Sequence, residues 1–466
     1  MTEQHQNISR REFFSKGSKF AAGAAVASGL SAQSKAEIPR SQNGKTRVVL
    51  VGTGNRGTAT WGENLIHPYS DLVEMVGLCD INHKRVEVAK ELIGVDCPTY
   101  HSSAFDQMIE ETEPDMVIVT TTDAFHAKYV VRAMELGCDV LSEKPLATEA
   151  EQCQRILETE EKTGQTVHVG FNARHGRSTE EIYRVLRSGR LGRIVSAEFD
   201  EYLDVSHGAS YFRRWHGKNR FSGSLLCHKA SHHFDQMNWW LDAEPVAVHA
   251  FGKVDFYGGN NGFRSEKCRG CDFQDRCDFY WDITESSERY QRLYVECEDV
   301  DGYYRDGCVW DNDITSYDSM TVEVEYNNGV LLSYTLNAFM PYEGQRIAFN
   351  GENGRLDVQN FHRQSWDVPY EADFRLSENF GESEYWRVGE EGEVDTGEGG
   401  HGGADMSLKD LIFRPDTPDP LNQYAGSRAG VMSSLIGIGA RKSIETGKRI
   451  KIDDLINFPH QWQWTG

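Results

Sequence analysis

The chain has 466 residues, 39% of them hydrophobic and 26% charged, with 72 acidic against 49 basic side chains and a net charge of −23. So acidic a surface repels phosphate-rich partners, which excludes nucleic acid and anionic membrane surfaces as expected ligands. Once an N-terminal leader is set aside, about 430 residues remain, more than one core usually organises, so two domains are expected.

The leader is read from Ser9-Arg10-Arg11-Glu12-Phe13-Phe14, a twin-arginine pattern followed by Lys16 and Lys19. A short apolar stretch, Phe20 to Leu30, and a small-residue cleavage site at Ser34-Lys35-Ala36 complete an export signal over residues 1–40. The apolar stretch is too short for a membrane span, which needs about 20 residues. The expectation is a bacterial protein exported folded, through the twin-arginine machinery, to the periplasm or beyond.

Arg47 to Gly57, RVVLVGTGNRG, is an apolar β run that breaks into three spaced glycines. Gly52, Gly54 and Gly57 fit G-x-G-x-x-G at a strand-to-helix turn. The first glycine permits the tight turn, the second the approach of a diphosphate, and the third close packing of the helix on the sheet. Amides at that helix N-terminus face phosphate. The second strand, Leu72 to Cys79, ends in Asp80, 23 residues past Gly57, near the roughly 20-residue spacing of an acid that binds adenosine ribose hydroxyls. A carboxylate there favours NAD over NADP, with Lys84 and Arg85 as the basic residues that keep NADP in view.

Alternation continues through a helix at Lys84–Leu92, a short strand and helix start within His101–Ile109, and a buried strand at Asp115–Thr120. Then come a helix at Ala127–Leu136 capped by Gly137, a strand at Asp139–Ser142, a helix at Glu149–Lys162 and a strand at Thr166–Gly170. This predicts a doubly wound parallel sheet over residues 45–170, with its ligand beyond the carboxyl ends of the strands. The second domain, 171–425, reads as α+β with a large, mostly antiparallel open sheet. Its strands are placed at Ile194–Tyr202, Val246–Gly252, Ser319–Tyr326, Val330–Phe339 and Gln345–Asn350, with a hairpin turn at Asn327-Asn328-Gly329. A helix is predicted at Leu225–Trp240. Residues 426–466 form a C-terminal helix, Gly426–Thr446, and a tail that packs back.

GTGNRG at 52–57, Asp80, TTTDAFH at 120–126, EKP at 143–145 and SHHFDQMNWWL at 231–241 occur in one order over roughly residues 45–350. With these pieces in place the chain resembles the Gfo/Idh/MocA oxidoreductases, the glucose–fructose oxidoreductase and inositol dehydrogenase family. The resemblance implies a Rossmann domain followed by an α/β domain whose open sheet makes homo-oligomer contacts, and it implies Lys144 beside the nicotinamide and the reacting hydroxyl. The cofactor-contact candidates are Gly52, Gly54, Asn55, Arg56, Gly57, Asp80, Thr121, His126, Glu143 and Lys144.

In that family a second-domain helix carries an Asp and, four residues on, a His. His232 matches the His, whereas His228 stands at the Asp position. At i, i+4 spacing on one helix the two share a face. Oxidising a secondary alcohol needs a base for the hydroxyl proton, for which histidine is suited. Lys144, His232 and His228 are the catalytic candidates, and Lys229, Asp235, Arg213 and Tyr202 the substrate candidates. His233 faces elsewhere and is read as structural.

Cys79, Cys97, Cys138, Cys153 and Cys227 are scattered in apolar settings and read as buried thiols. Cys268, Cys271, Cys277 and Cys308 fall in an acidic, Tyr-rich insertion at about 255–315, where they are expected to hold a structural zinc or disulfides, with free thiols as the third reading. The function expected is an exported NAD(P)-dependent oxidoreductase acting on a hydroxyl of a sugar or glycoside. Its cofactor stays bound and is recycled, because free NAD is not replenished outside the cytoplasm. The alternatives are an NAD-dependent glycoside hydrolase that works by oxidation, elimination and re-reduction, and a non-catalytic sugar-binding module, which the presence of Lys144 and His232 disfavours.

Overall fold

The computed structural model describes residues 44–367, 371–389 and 403–458; the twin-arginine segment lies outside them. Six parallel strands form the first sheet: β1 (Thr46–Val51), β2 (Val73–Asp80), β3 (Thr99–His101), β4 (Met116–Val119), β5 (Asp139–Ser142) and β6 (Val167–Val169), in the order β3-β2-β1-β4-β5-β6. The strands are nearly continuous apolar runs because both faces are covered. Val48 and Leu50 pack with Trp61, Val86 and Ile93 on one side. Val49 and Val51 pack with Met108 and Val130 on the other. The crossover helices are delimited by local chemistry. Asn82 accepts from the Lys84 and Arg85 amides to start His83–Ile93, and Gly94 ends it in the left-handed region. Glu149 and Gln152 form a capping box on Ala150–Thr163.

The second sheet has nine strands: β7 (Ile194–Asp204), β8 (Pro245–Lys253), β9 (Ser319–Tyr326), β10 (Leu331–Met340), β11 (Glu343–Gly351), β12 (Gly354–His362), β13 (Ala372–Glu378), β14 (Ser383–Val388) and β15 (Ile450–Lys451). Their order is β14-β13-β12-β11-β7-β10-β9-β8-β15, and β7 with β10 is the one parallel pair among the described strands of this sheet. Gly329, with φ +83°, closes the β9–β10 hairpin by donating to the Tyr326 carbonyl. Helices Ala230–Leu241 and Ser427–Thr446 cover one face. On the other face β7 presents Glu198, Asp200 and Tyr202, and β10 presents Ser333 and Thr335. β12, β13 and β14 were not anticipated. Nor was helix Ala404–Phe413, which leaves this sheet to pack Leu408, Ile412 and Phe413 into the apolar cluster of Val48 and Leu50.

Two expectations need correction. The helix expected over Leu225–Trp240 is two helices, Leu225–His228 and Ala230–Leu241, meeting at Lys229. The break turns the His228 carbonyl toward Lys144, whose Nζ donates to it at 2.9 Å. The insertion, from the end of β8 to the start of β9, holds no disulfide, and all ten cysteines are free thiols. Among the described residues no three His, Cys, Asp or Glu side chains form a metal cluster. Cys268, Cys271, Cys277 and Cys308 do line one small cavity, but Arg213 enters it and donates to the Cys268 sulfur at 2.9 Å. The insertion is held by other means. Arg269 bridges Asp306 and Glu298 at 2.9 and 2.5 Å, and the buried Asp318 accepts from the amides of Asp255, Phe256 and Tyr257.

The glycine-rich turn separates packing from approach. A Cβ on Gly57 would lie 2.2 Å from the Gly52 carbonyl oxygen, whereas one on Gly54 would meet nothing nearer than the Tyr294 hydroxyl at 3.5 Å. Gly57→Ala is therefore expected to destabilise the protein by about 3 kcal/mol in denaturant titration, an overpacking cost. Gly54→Ala should stay within about 0.5 kcal/mol of the parent.

Candidate active site

The glycine loop leaves β1 with Gly52 at φ +95°, where a Cβ would collide with Thr120 backbone at 2.7 Å. The chain then enters the helix Arg56–Glu63, so that Gly54 and Asn55 stand at its N-terminus. A close-packed first and third glycine with an open second one suits a diphosphate, as does the amide-rich helix start. Asp80, at the end of β2, is buried. Its Oδ2 accepts from the Thr53 amide and hydroxyl at 2.7 and 3.0 Å, and its Oδ1 from the Asn82 amide at 2.8 Å. The two basic residues beyond it are occupied: Lys84 pairs with Asp299 at 2.7 Å, and Arg85 with Asp301 at 2.9 Å and Asp80 at 3.4 Å.

Arg56 does not turn outward from the loop. Its Nε donates to Glu143 at 2.6 Å, and its two terminal nitrogens donate to Asp405 at 3.0 Å each. Trp61 donates to the same Glu143 oxygen at 2.7 Å. Burial pushes the Glu143 carboxyl up, but Arg56 and these hydrogen bonds outweigh it and hold the group low. His126 spans two carbonyl oxygens, Pro145 at 2.7 Å and Thr121 at 3.0 Å, and so ties the loop after β4 to the Lys144-Pro145 turn after β5.

Lys144 follows Glu143 but points the other way, toward the second domain. It is part-buried. Burial pushes its amine down to about 8 against the pull of Asp123 and Glu143, with Lys229 and Arg56 adding to the downward push. Beside it, His228 Nδ1 lies 2.7 Å from Asp123 Oδ2. Burial lifts the Asp123 carboxyl, against the pull of Lys144, and lowers the His228 imidazole. The carboxylate missing from position 228 is thus supplied from the Rossmann side, by an aspartate inside TTTDAFH. His216 joins the cluster with its ring 4.2 Å from that of His228 and stacked on Trp215 at 3.6 Å.

His228 is the last residue of one short helix and His232 lies in the first turn of the next. The part-buried His232 ring packs edge-on against Phe171, just past β6. Lys229 pairs with the buried Glu201 at 3.1 Å, and His233 Nε2 lies 3.5 Å from the same carboxylate.

Three substrate candidates are engaged elsewhere. Asp235 is locked by Arg174, which donates to its two oxygens at 2.7 and 2.6 Å in the interior. Arg213 points into the insertion, and Tyr202 lies against Tyr342 on the sheet face opposite Glu201, as strand alternation requires. Arg214, next to Arg213, turns toward the site instead, over the Tyr211 ring at 5.5 Å.

The insertion also reaches the cofactor loop, which no local signal foretold. Its Tyr294 hydroxyl accepts from the Asn55 amide at 2.8 Å. Leu293 and Ile283 are fully buried in the apolar cluster of the dinucleotide sheet.

Residues 46–171 match the family model described as an oxidoreductase family with an NAD-binding Rossmann fold, and residues 184–452 match that family's C-terminal alpha/beta domain. The Bacillus subtilis protein YteT is 34% identical over 436 residues, which span 88% of this chain and 99% of YteT. The alpha-N-acetylgalactosaminidase of Shewanella oneidensis is 24% identical over 92% of each chain. The inositol 2-dehydrogenase of Salmonella typhimurium is 27% identical over 38% of this chain and 50% of its own. Among solved structures, the aldose–aldose oxidoreductase of Caulobacter crescentus shares the fold with a TM-score of 0.57 at 16% identity, over 87% of this chain and 99% of that one. The chain belongs to the Gfo/Idh/MocA family of oxidoreductases.

Proposed function

We propose that the protein is an exported NAD-dependent oxidoreductase that oxidises a secondary hydroxyl of a sugar or glycoside, with the cofactor retained and recycled between substrates. The observation that carries this reading is Lys144, an amine lowered to about 8 at the carboxyl end of β5, hydrogen-bonded to the second domain and flanked by the Asp123–His228 pair. When bound, the nicotinamide supplies the hydride acceptor. Asp80 receives the adenosine ribose, and Lys84 and Arg85 are both paired with acids rather than left for a 2′-phosphate, which favours NAD over NADP. Lys144, in its neutral form, takes the proton of the substrate hydroxyl as the C–H bond opposite breaks. Asp123 and Glu143 stabilise the ammonium that results. His232 is assigned to orient the substrate hydroxyl, and His228 to hold the backbone carbonyl against which Lys144 is positioned. A sugar fits the family and the relatives that resemble this chain. Assembly into a homo-oligomer through the open face of the nine-stranded sheet belongs to the same proposal.

A second reading, glycoside cleavage through transient oxidation, is favoured by one observation: the similarity to the Shewanella galactosaminidase runs over nearly the whole of both chains. The two readings part on their products. Keto-sugar with a lasting reduced-nicotinamide absorbance supports net oxidation, and stoichiometric cleavage without it supports the hydrolase.

Since only neutral Lys144 accepts the proton, oxidation should rise with pH through about 8. Lys144→Met should lower kcat by about 10²–10⁴-fold and abolish that limb. Asp123→Asn removes a group that raises the Lys144 pKa, so the limb should move to lower pH. Steady-state pH profiles of the three proteins check this. A limb retained in Lys144→Met would remove Lys144 from the proton-transfer role.

A further inference from the structure

We propose that the insertion segment from Glu288 to Arg305 is a strap that closes the dinucleotide cleft, with Tyr294 and Arg305 as its ligands to the cofactor diphosphate. This rests on the reading above that the protein works with bound NAD, and it assigns retention of that cofactor to a named part of the chain. Tyr294 already accepts the Asn55 amide at 2.8 Å, next to the one loop glycine whose side is open, and among the described residues no acceptor takes its own hydroxyl proton. Its hydroxyl therefore stands beside the position that an anionic oxygen takes at a helix start.

Arg305 lies over the rings of Tyr290 and Tyr294, at 4.4 and 4.6 Å. Its Nε is enclosed without a hydrogen-bond partner, and among the described residues no carboxylate pairs with its guanidinium. A guanidinium held over Tyr294 and lacking a carboxylate is a suitable diphosphate ligand, because guanidinium–phosphate contacts are charge-assisted and planar.

The strap is anchored on both sides of the cleft. Arg289 pairs with Glu63, on the helix that follows the glycine loop, at 2.7 Å. On the Asp80 side, Asn82 donates to the Cys297 carbonyl at 2.8 Å, and Arg85 donates to the Leu293 carbonyl at 3.0 Å while pairing with Asp301. Leu293 between these anchors is fully buried against the dinucleotide-binding domain. A dinucleotide beneath such a segment leaves only when the anchors open. Release is then slow even where the glycine loop alone would exchange its ligand freely.

The test measures association and dissociation of NAD on the full chain by stopped-flow protein fluorescence, with an excess of unlabelled NADH or a competing nucleotide as chase. Arg305→Met should accelerate dissociation by about tenfold or more with association little changed, the loss of one charge-assisted contact. Tyr294→Phe keeps the ring and its packing and should accelerate it by about threefold or more. Glu63→Ala, which frees one anchor, should speed association and dissociation together and leave Kd within about threefold, as a gate does. Wild-type dissociation rates in Arg305→Met and Tyr294→Phe would overturn the ligand assignment, and wild-type rates in Glu63→Ala would overturn the strap. A parent protein that takes up no NAD at millimolar concentration would instead overturn the NAD-dependent reading itself, an outcome distinct from unchanged rates in protein that binds.

Discussion

The constraint on which the rest of this structure turns is the placement of one amine. Lys144 follows a glutamate whose charge is spent inside its own domain, on Arg56 and Trp61, so the lysine is left to face the second domain with little direct compensation. Its donor reaches the His228 carbonyl, and that contact draws on the carbonyl at which the second-domain helix breaks. Desolvation of the ammonium is the largest influence on its pKa, and the acids nearby reduce that shift without cancelling it. An amine so placed is near half-neutral around pH 8. That is the state a proton acceptor needs, and an exposed lysine does not have it.

Holding the amine there joins the two domains through polar contacts that are far apart in sequence. Arg56 in the first loop meets Asp405 in a late helix, and Asn172 donates to the same Asp405 at 2.7 Å. Asp123 meets His228 at 2.7 Å. Pairs this enclosed gain little net stability over apolar replacements, but removing one partner strands the other at a cost of about 3–5 kcal/mol. Their effect is to fix where the second domain sits relative to the carboxyl ends of the parallel strands.

What was legible in the sequence follows from the range of the interactions concerned. The six-stranded parallel sheet could be read because buried parallel strands are continuous apolar runs, and because a cap such as Gly137, at φ +86°, acts within one turn. Lys144, Glu143 and the loop glycines could be placed because strand ends place them. The helix through residue 229 could not be read correctly: its break answers to Lys144, distant in the chain, and no local propensity records that. For the same reason Asp235 and Arg213 looked available for substrate. Each is taken by a partner, Arg174 or Cys268, that pattern reasoning does not bring near. Tyr202 lies on the sheet face opposite Glu201, since one residue along β7 is a change of face.

The insertion is the sharper case. Its cysteines invited attention as staples, yet they are free thiols, and its attachments are an ion-pair set and a few buried apolar side chains. Those attachments lead to the dinucleotide-binding domain as well as to the domain from which the insertion springs, where Val309, Trp310 and Ile314 are buried. Lys84 and Arg85, which by position alone raise the prospect of a 2′-phosphate, find their counter-ions in Asp299 and Asp301 of the insertion. A single segment therefore neutralises the basic residues near the ribose and puts a tyrosine on the glycine loop. On the proposed reading, cofactor choice and cofactor retention are coupled, because each acid that pairs with a basic residue near the ribose also anchors the proposed strap.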